Sequence, residues 1–338
     1  MKTGIMAAAG AALLAAGLGL HAARAHRERA AYAAAQAYAE KCGREDIAAV
    51  EGLLNPVSAA VGELAAKAAA QPARMRAEQS REDLHDILVK LPQLDGVVAS
   101  FEDGYHRVVT HVDDHRRAFD SKMPAATLWH SSFIEACRPG AGRNRVRHRT
   151  MYSEWPTVIK TYDFPTNFDM RESANYREMK RTTAPYVSDP LINLDTGGPI
   201  LSIGAPIVRD GRFIGVAVGN ITFGSFARFL DEHKPSPNSI AMIVDADGSV
   251  IVHPDLQKCV RKAGGQLIFA NLSGFADEAV RDAAAARGSA RQSRVVYRSG
   301  QPPAEYLATF TPFPESFGKK WEVLTVAPAS DFLKGPAQ

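Results

Sequence analysis

The sequence predicts an α+β fold, with long helices leading into two small antiparallel sheets. Three observations carry this. A β-branched run, an acidic residue with glycine, and a second β-branched run recur at 96–112 (GVVASFEDGYHRVVTHV), 204–221 (GAPIVRDGRFIGVAVGNI) and 240–254 (IAMIVDADGSVIVHP). Asp-Gly tolerates the left-handed backbone of a tight hairpin turn. Residues 28–76 are rich in Ala, Glu, Lys and Gln, which favour helix. The Pro-rich stretch 234–239 (KPSPNS) separates the first two hairpins from the third, so the sheet theme restarts after it.

The elements follow in order. Lys2 precedes an uncharged Ala- and Gly-rich run at 4–20, just long enough for a bilayer core of about 30 Å. One reading is a membrane anchor and the other a signal peptide cleaved near Ala23-Arg24-Ala25. Arg24, Arg27 and Arg29 disfavour export of that flank and so favour the anchor. In either case the rest of the chain is exported. Residues 1–25 are therefore assigned to the anchor or signal segment, and 26–90 to a long kinked helix and a second helix. Asn55-Pro56 predicts a break in the long helix, with Asn as the new cap, and Pro72 a second interruption. Ser80, with Asp83 three residues on, predicts the next helix start. Leu84, Ile87, Leu88 and Leu91 supply its buried face.

Residues 91–233 form the first module. It contains the 96–112 hairpin, strands in 149–164 interrupted at Trp155-Pro156, a short helix at 172–181, and the 204–221 hairpin. A closing helix at about 223–233 places Phe226, Phe229 and Leu230 on one face. Residues 234–338 form the second module. It comprises the third hairpin, a helix near 276–286, and strands in 293–299, 305–311 and 321–327.

Composition narrows the function. With 40 basic and 37 acidic residues, the net charge of +3 is too mild to imply nucleic acid. Cys42, Cys137 and Cys259 are far apart, odd in number and without metal-ligand spacing. His111 and His115 would share a helical face, but 108–112 reads as strand and no third ligand is fixed. Asp245-Ala246-Asp247-Gly248 lacks the spacing and closing Glu of a calcium loop, and reads as a turn. The basic stretch 138–149 has no stacking aromatics and reads as a solvated loop. No phosphate-cradling loop, nucleophile elbow or paired-carboxylate site is evident. The chain is thus expected to be non-enzymatic, with no cofactor.

Four stretches carry a family resemblance: 92–104 (PQLDGVVASFEDG), 168–179 (FDMRESANYREM), 183–186 (TAPY) and the 204–221 hairpin. Behind a long helix, they resemble the double Cache sensor region of bacterial receptors. The stretches 252–255 (VHPD) and 313–332 (FPESFGKKWEVLTVAPASDF) are similar to sensor regions attached to class III adenylate or guanylate cyclases. The resemblance implies two stacked PAS-like modules, 91–233 distal to the membrane and 234–338 proximal. It also places a ligand pocket in the distal one. In the amino-acid-binding branch of that family the pocket uses an Arg, a Trp-Tyr pair, a later Tyr and a strand-ending Asp. Here the corresponding positions read Ser173, Asn175, Tyr176, Tyr186 and Asn220.

The candidate ligand-binding residues are therefore Arg171, Tyr176, Tyr186 and Asn220. Each has a plainer alternative: a salt bridge for Arg171, core aromatics for the tyrosines, a turn cap for Asn220. With the Arg, Trp and Asp missing, free amino acids are not the expected ligand. The expected function is an extracytoplasmic small-molecule sensor domain of a single-pass, inner-membrane signalling protein. Most of the chain would be periplasmic, and its long helix would pair in a homodimer. The alternatives are the sensory part of a membrane cyclase, or a soluble periplasmic binding protein. Pro328-Ala329-Ser330-Asp331 reads as a helix start, soon stopped by Gly335-Pro336. That places the output in a cytoplasmic or membrane partner, or in a downstream segment.

Overall fold

The computed structural model describes residues 2–120, 122–137, 145–193, 195–289 and 291–333. The expected anchor at 4–20 falls on side chains outside the described ones. So do Cys42, His115, the 138–144 part of the basic stretch, and the chain end from Lys334.

The chain opens with α1 (Lys2–Ala70), then α2 (Pro72–Arg76) and α3 (Ser80–Lys90). Pro56 does not break α1. It and Gly52, whose carbonyl loses its helical donor, are both exposed, so water replaces the missing bond. Pro72 starts α2 at its first position, where a missing N–H costs nothing. Ser80 does not cap α3. Its hydroxyl donates to the Ala77 carbonyl, and Asp83 accepts instead from Lys67 and Arg74.

The first sheet has nine strands: β1 (Gly96–Phe101), β2 (His106–His111), β3 (Trp129–Ile134), β4 (Arg145–Tyr152), β5 (Val158–Thr166), β6 (Tyr186–Val187), β7 (Leu191–Ile192), β8 (Pro199–Arg209) and β9 (Arg212–Thr222). Their order is β5-β4-β3-β2-β1-β9-β8-β6, with β7 also on β8. The short helices α4 (Asp114–Phe119) and α5 (Ala174–Met179) lie in its connections, and α6 (Phe223–Glu232) closes it. The β8–β9 turn holds Asp210 and Gly211 at φ of 50° and 74°, as the Asp-Gly signal requires.

The second sheet follows the order β11-β10-β16-β15-β14. Its strands are β10 (Ile240–Val244), β11 (Val250–Val252), β14 (Arg294–Ser299), β15 (Ala304–Pro312) and β16 (Glu322–Pro328). A separate hairpin, β12 (Val260–Ala263) with β13 (Gln266–Phe269), was not expected from the sequence. The remaining helices are α7 (Leu256–Cys259), α8 (Glu278–Arg287) and α9 (Ser330–Leu333).

Helix α1 ties the two sheets together. Val50, Leu54, Val57, Val61, Leu64 and Ala68 recur every three or four residues and are buried. They share one core with Val97 and Ala99 of β1, Leu201 and Ile203 of β8, and Ile243 and Val323 of the second sheet. The segment Gly43–Ala70 is also long and apolar enough to cross a membrane, but these side chains serve the core. Gly219 lets the helix approach β9 closely: a Cβ there would stand 3.0 Å from both Val57 Cγ1 and Leu94 Cδ2.

Candidate ligand-binding site

The first sheet's two faces differ because side chains alternate along a strand. On β1 and β9, Val97, Ala99, Ala217 and Ile221 face α1. Val98, Val218 and Asn220 face the other way, into a cavity of about 300 Å³. Val98, Val108, Val218 and Ile200 form its floor. Phe168, Met170 and Ser173 from the approach to α5 and Asn175 on α5 itself, with Leu191, Ile192, Asn193 and Asp195, form its cover.

Of the four candidate residues, Asn220 lines the cavity. Its backbone pairs with Gly96 on one side and Ser202 on the other. Ser202 Oγ donates to Asn220 Oδ1 at 2.8 Å, a bond that does not use the Nδ2 donor. Asn220 is not the cap of the following helix. That role belongs to Thr222, whose hydroxyl accepts from the Ser225 N–H.

The other three candidates lie outside the cavity lining. Arg171 is held by Asp169 through Nη2 at 2.6 Å and Nε at 2.9 Å, and by the carbonyls of Glu102 and Cys137. Its guanidinium thus clamps the β1–β2 turn to the approach to α5. Tyr176 is buried edge-on against Phe213 and donates to Glu102 Oε1 at 2.9 Å. Burial and that carboxylate push its phenol well up. Tyr186 is half-buried on β6, under the Lys319 ammonium.

The structure instead brings charge from a place where the sequence reading saw a solvated loop. Residues 145–149 belong to β4, and Arg147 and Arg149 point inward, each only 6% exposed. Their period-two spacing in Arg-Val-Arg-His-Arg was the available signal for a strand with one cationic face. Arg147 lines the cavity, its guanidinium 5.0 Å from the Phe168 ring centre. Arg147 Nη1 and Arg149 Nη2 reach Asp195 Oδ1 at 3.1 and 3.3 Å. Arg116 from α4 reaches Oδ2 at 3.9 Å and pairs with Asp95 at 2.6 Å. Burial opposes the charge on Asp195, but Arg147 and Arg149 prevail and hold its carboxyl at about 2. His106 also lines the cavity, with Nδ1 2.7 Å from Ser100 Oγ. Burial, with the neighbouring Arg147, drives its imidazole down to about 3, so it is neutral. Asn175 Nδ2, in the cavity wall, is buried without a hydrogen-bond partner.

The cavity therefore combines apolar walls, amide groups and one ionic pair, which suits a small polar molecule. Among the described residues, no cluster of three His, Cys, Asp or Glu side chains is gathered as a metal would need.

The sequence profile of the Cache domain matches residues 50–336. The chain belongs to the Cache domain family. A similar curated relative is the methyl-accepting chemotaxis protein PscA of Pseudomonas syringae pv. tomato, 25% identical over 91 residues. That alignment takes in 27% of this chain but 14% of the receptor's length. The ligand-binding domain of the Pseudomonas fluorescens chemoreceptor CtaA, solved with L-isoleucine, superposes with a TM-score of 0.55 at 15% identity. It covers 90% of this chain and 96% of its own. The extracellular domain of a putative histidine kinase, mmHK1S-Z2, gives 0.52 at 18% identity, covering 87% and 97%. These likenesses carry the double Cache fold. This Cache chain is a sensor domain.

Proposed function

We propose that the chain is the periplasmic sensing part of an inner-membrane signalling protein, and that its cavity takes a carboxylate-bearing solute of amino-acid size. Arg147 carries this reading: it is a buried guanidinium on a strand, at the wall of the cavity that Asn220 also lines. A planar guanidinium matches a carboxylate with two parallel hydrogen bonds. A volume of about 300 Å³ lies at the small end for ligand pockets and excludes large ligands. The case against amino acids, drawn from the missing Arg, Trp and Asp, is weakened on the carboxylate side. Arg147 brings a guanidinium to the cavity from another position, and CtaA was solved with L-isoleucine bound.

Signal transfer is proposed to run through α1, which packs on both sheets, to a paired helix in a homodimer and on to a cytoplasmic or membrane partner. A ligand moves such an equilibrium only through differential affinity, typically about 1–3 kcal/mol of coupling. The test is calorimetry of the purified protein against amino acids, mono- and dicarboxylates and aliphatic diamines. Binding confined to carboxylate-bearing compounds is expected. Binding of diamines alone, or of nothing in the panel, defeats the reading.

A further inference from the structure

We propose that Asp195 occupies the place of a ligand carboxylate, and that a solute binds by exchanging its own carboxylate for Asp195 on the Arg147–Arg149 pair. The inference rests on the carboxylate reading above and adds a mechanism to it.

The geometry is asymmetric. Arg147 and Arg149 are fixed on a central stretch of β4, paired with β3 and β5 on either side. Asp195 comes from the connection between β7 and β8, and its carboxylate meets three guanidinium groups. One carboxylate does not satisfy them. The Nε donors of Arg116, Arg147 and Arg149 are buried without partners, as are Ser132 Oγ and His130 Nδ1 beside them. Buried donors left in this state are destabilising. A solute carboxylate entering edge-on to Arg147 can bond Nε and an Nη together, which Asp195 does not do.

Charge decides between exchange and addition. Arg116, Arg147 and Arg149 face Asp95, Asp120 and Asp195, so the cluster is balanced. A further anion would be buried without a counter-charge, which is strongly unfavourable. Exchange of one carboxylate for another leaves the charge that faces the arginines unchanged. Protonation cannot release Asp195 near neutral pH, because its carboxyl titrates at about 2.

Exchange also has a consequence for signalling. The segment that carries Asp195 is fixed at Asn193, whose amide donates to Asp95 Oδ2 at 3.2 Å. Further back, Asp189 accepts from Lys319, in the β15–β16 connection of the second sheet, at 2.5 Å. Freeing Asp195 therefore frees the β7–β8 connection, which β7 joins to the Asp189 contact with the second sheet, a route that does not pass through α1.

The test uses the full chain in detergent, wild type and Asp195→Asn, with succinate as probe and putrescine as control. The amide keeps the shape but removes the internal competitor. Asp195→Asn should bind succinate at least ten-fold more tightly than wild type by calorimetry, with putrescine unchanged. If the unpaired arginines lower its stability, succinate should restore the melting temperature and equimolar sodium chloride should not. In wild type, succinate should speed hydrogen exchange at the Asp195 amide, now bonded to Asn193 Oδ1 at 2.8 Å. Weaker or equal succinate binding by Asp195→Asn overturns the exchange. If wild type still binds carboxylates in that case, the proposed function stands without it. If only Asp195→Asn binds succinate, Asp195 bars the site in wild type, and both the exchange and the proposed ligand class fail.

Discussion

Replacing Asp46 with asparagine should stabilise the protein at pH 8 and leave it unchanged at pH 4. Asp46 lies on α1 where the helix crosses the second sheet, and is 2% exposed. Its Oδ2 has one weak partner, Thr325 Oγ1 on β16 at 3.4 Å. Burial raises the carboxyl from 3.8 to about 6, although Thr325 and His233 pull it down. A pKa raised on folding means that the folded state holds its proton more tightly than the unfolded chain. The advantage is full below the unfolded pKa and is lost as pH rises through the folded one. About two decades of proton affinity, at about 1.4 kcal/mol each, give a penalty of about 3 kcal/mol above pH 7. The amide of the Asp46→Asn variant would carry no such penalty and can still accept from Thr325. Denaturant unfolding of both proteins from pH 4 to 8 should show the gap opening between about pH 4 and 6. A constant gap, or a less stable variant at pH 8, would refute the reasoning.

Three further outcomes are expected. Asn220→Ala should weaken the affinity of any carboxylate found in the screen by about 1–3 kcal/mol, read by calorimetry, with the circular dichroism spectrum unchanged. Gly219→Val should destabilise by about 1–3 kcal/mol, because its side chain would collide with Val57 and Leu94; a neutral result would mean α1 is not seated there. Glu322 accepts from both Arg287 Nη atoms at 2.7 and 2.6 Å. Burial works against its carboxylate, yet Arg287 lowers its pKa, so this stability is present above pH 4.5 and is lost in acid. Glu322→Gln should therefore cost about 3 kcal/mol at pH 7, and the difference in thermal unfolding should shrink as pH falls below that point.

Much of the fold was legible because hairpin signals are local. Asp210-Gly211 sets a left-handed turn from two residues, and the alternation on either side fixes the strands whatever packs on them. The position of Asn220 at the end of its strand was legible for the same reason, but which face it takes was decided by the pairing with β1 and β8. Local propensity failed where tertiary contacts outweighed it. Pro56 stays inside α1 because its lost bond faces water while Leu54 and Val57 are locked in the core. The likeness of 168–179 to a ligand motif drew attention to Arg171 and Tyr176. Their side chains are taken up by Asp169 and Glu102, which no spacing rule links to them. Arg147 and Asp195 are 48 residues apart. Nothing in the sequence pairs them: β4 and the β7–β8 connection meet only when the nine-stranded sheet is assembled. The sequence by itself determined the long helix, the helix from Ser80 and the hairpins at 96–112, 204–221 and 240–254, since each depends on neighbours within a few residues. Only the tertiary structure decided which charges share the cavity, because burial and pairing there arise from strands brought together across the sheet.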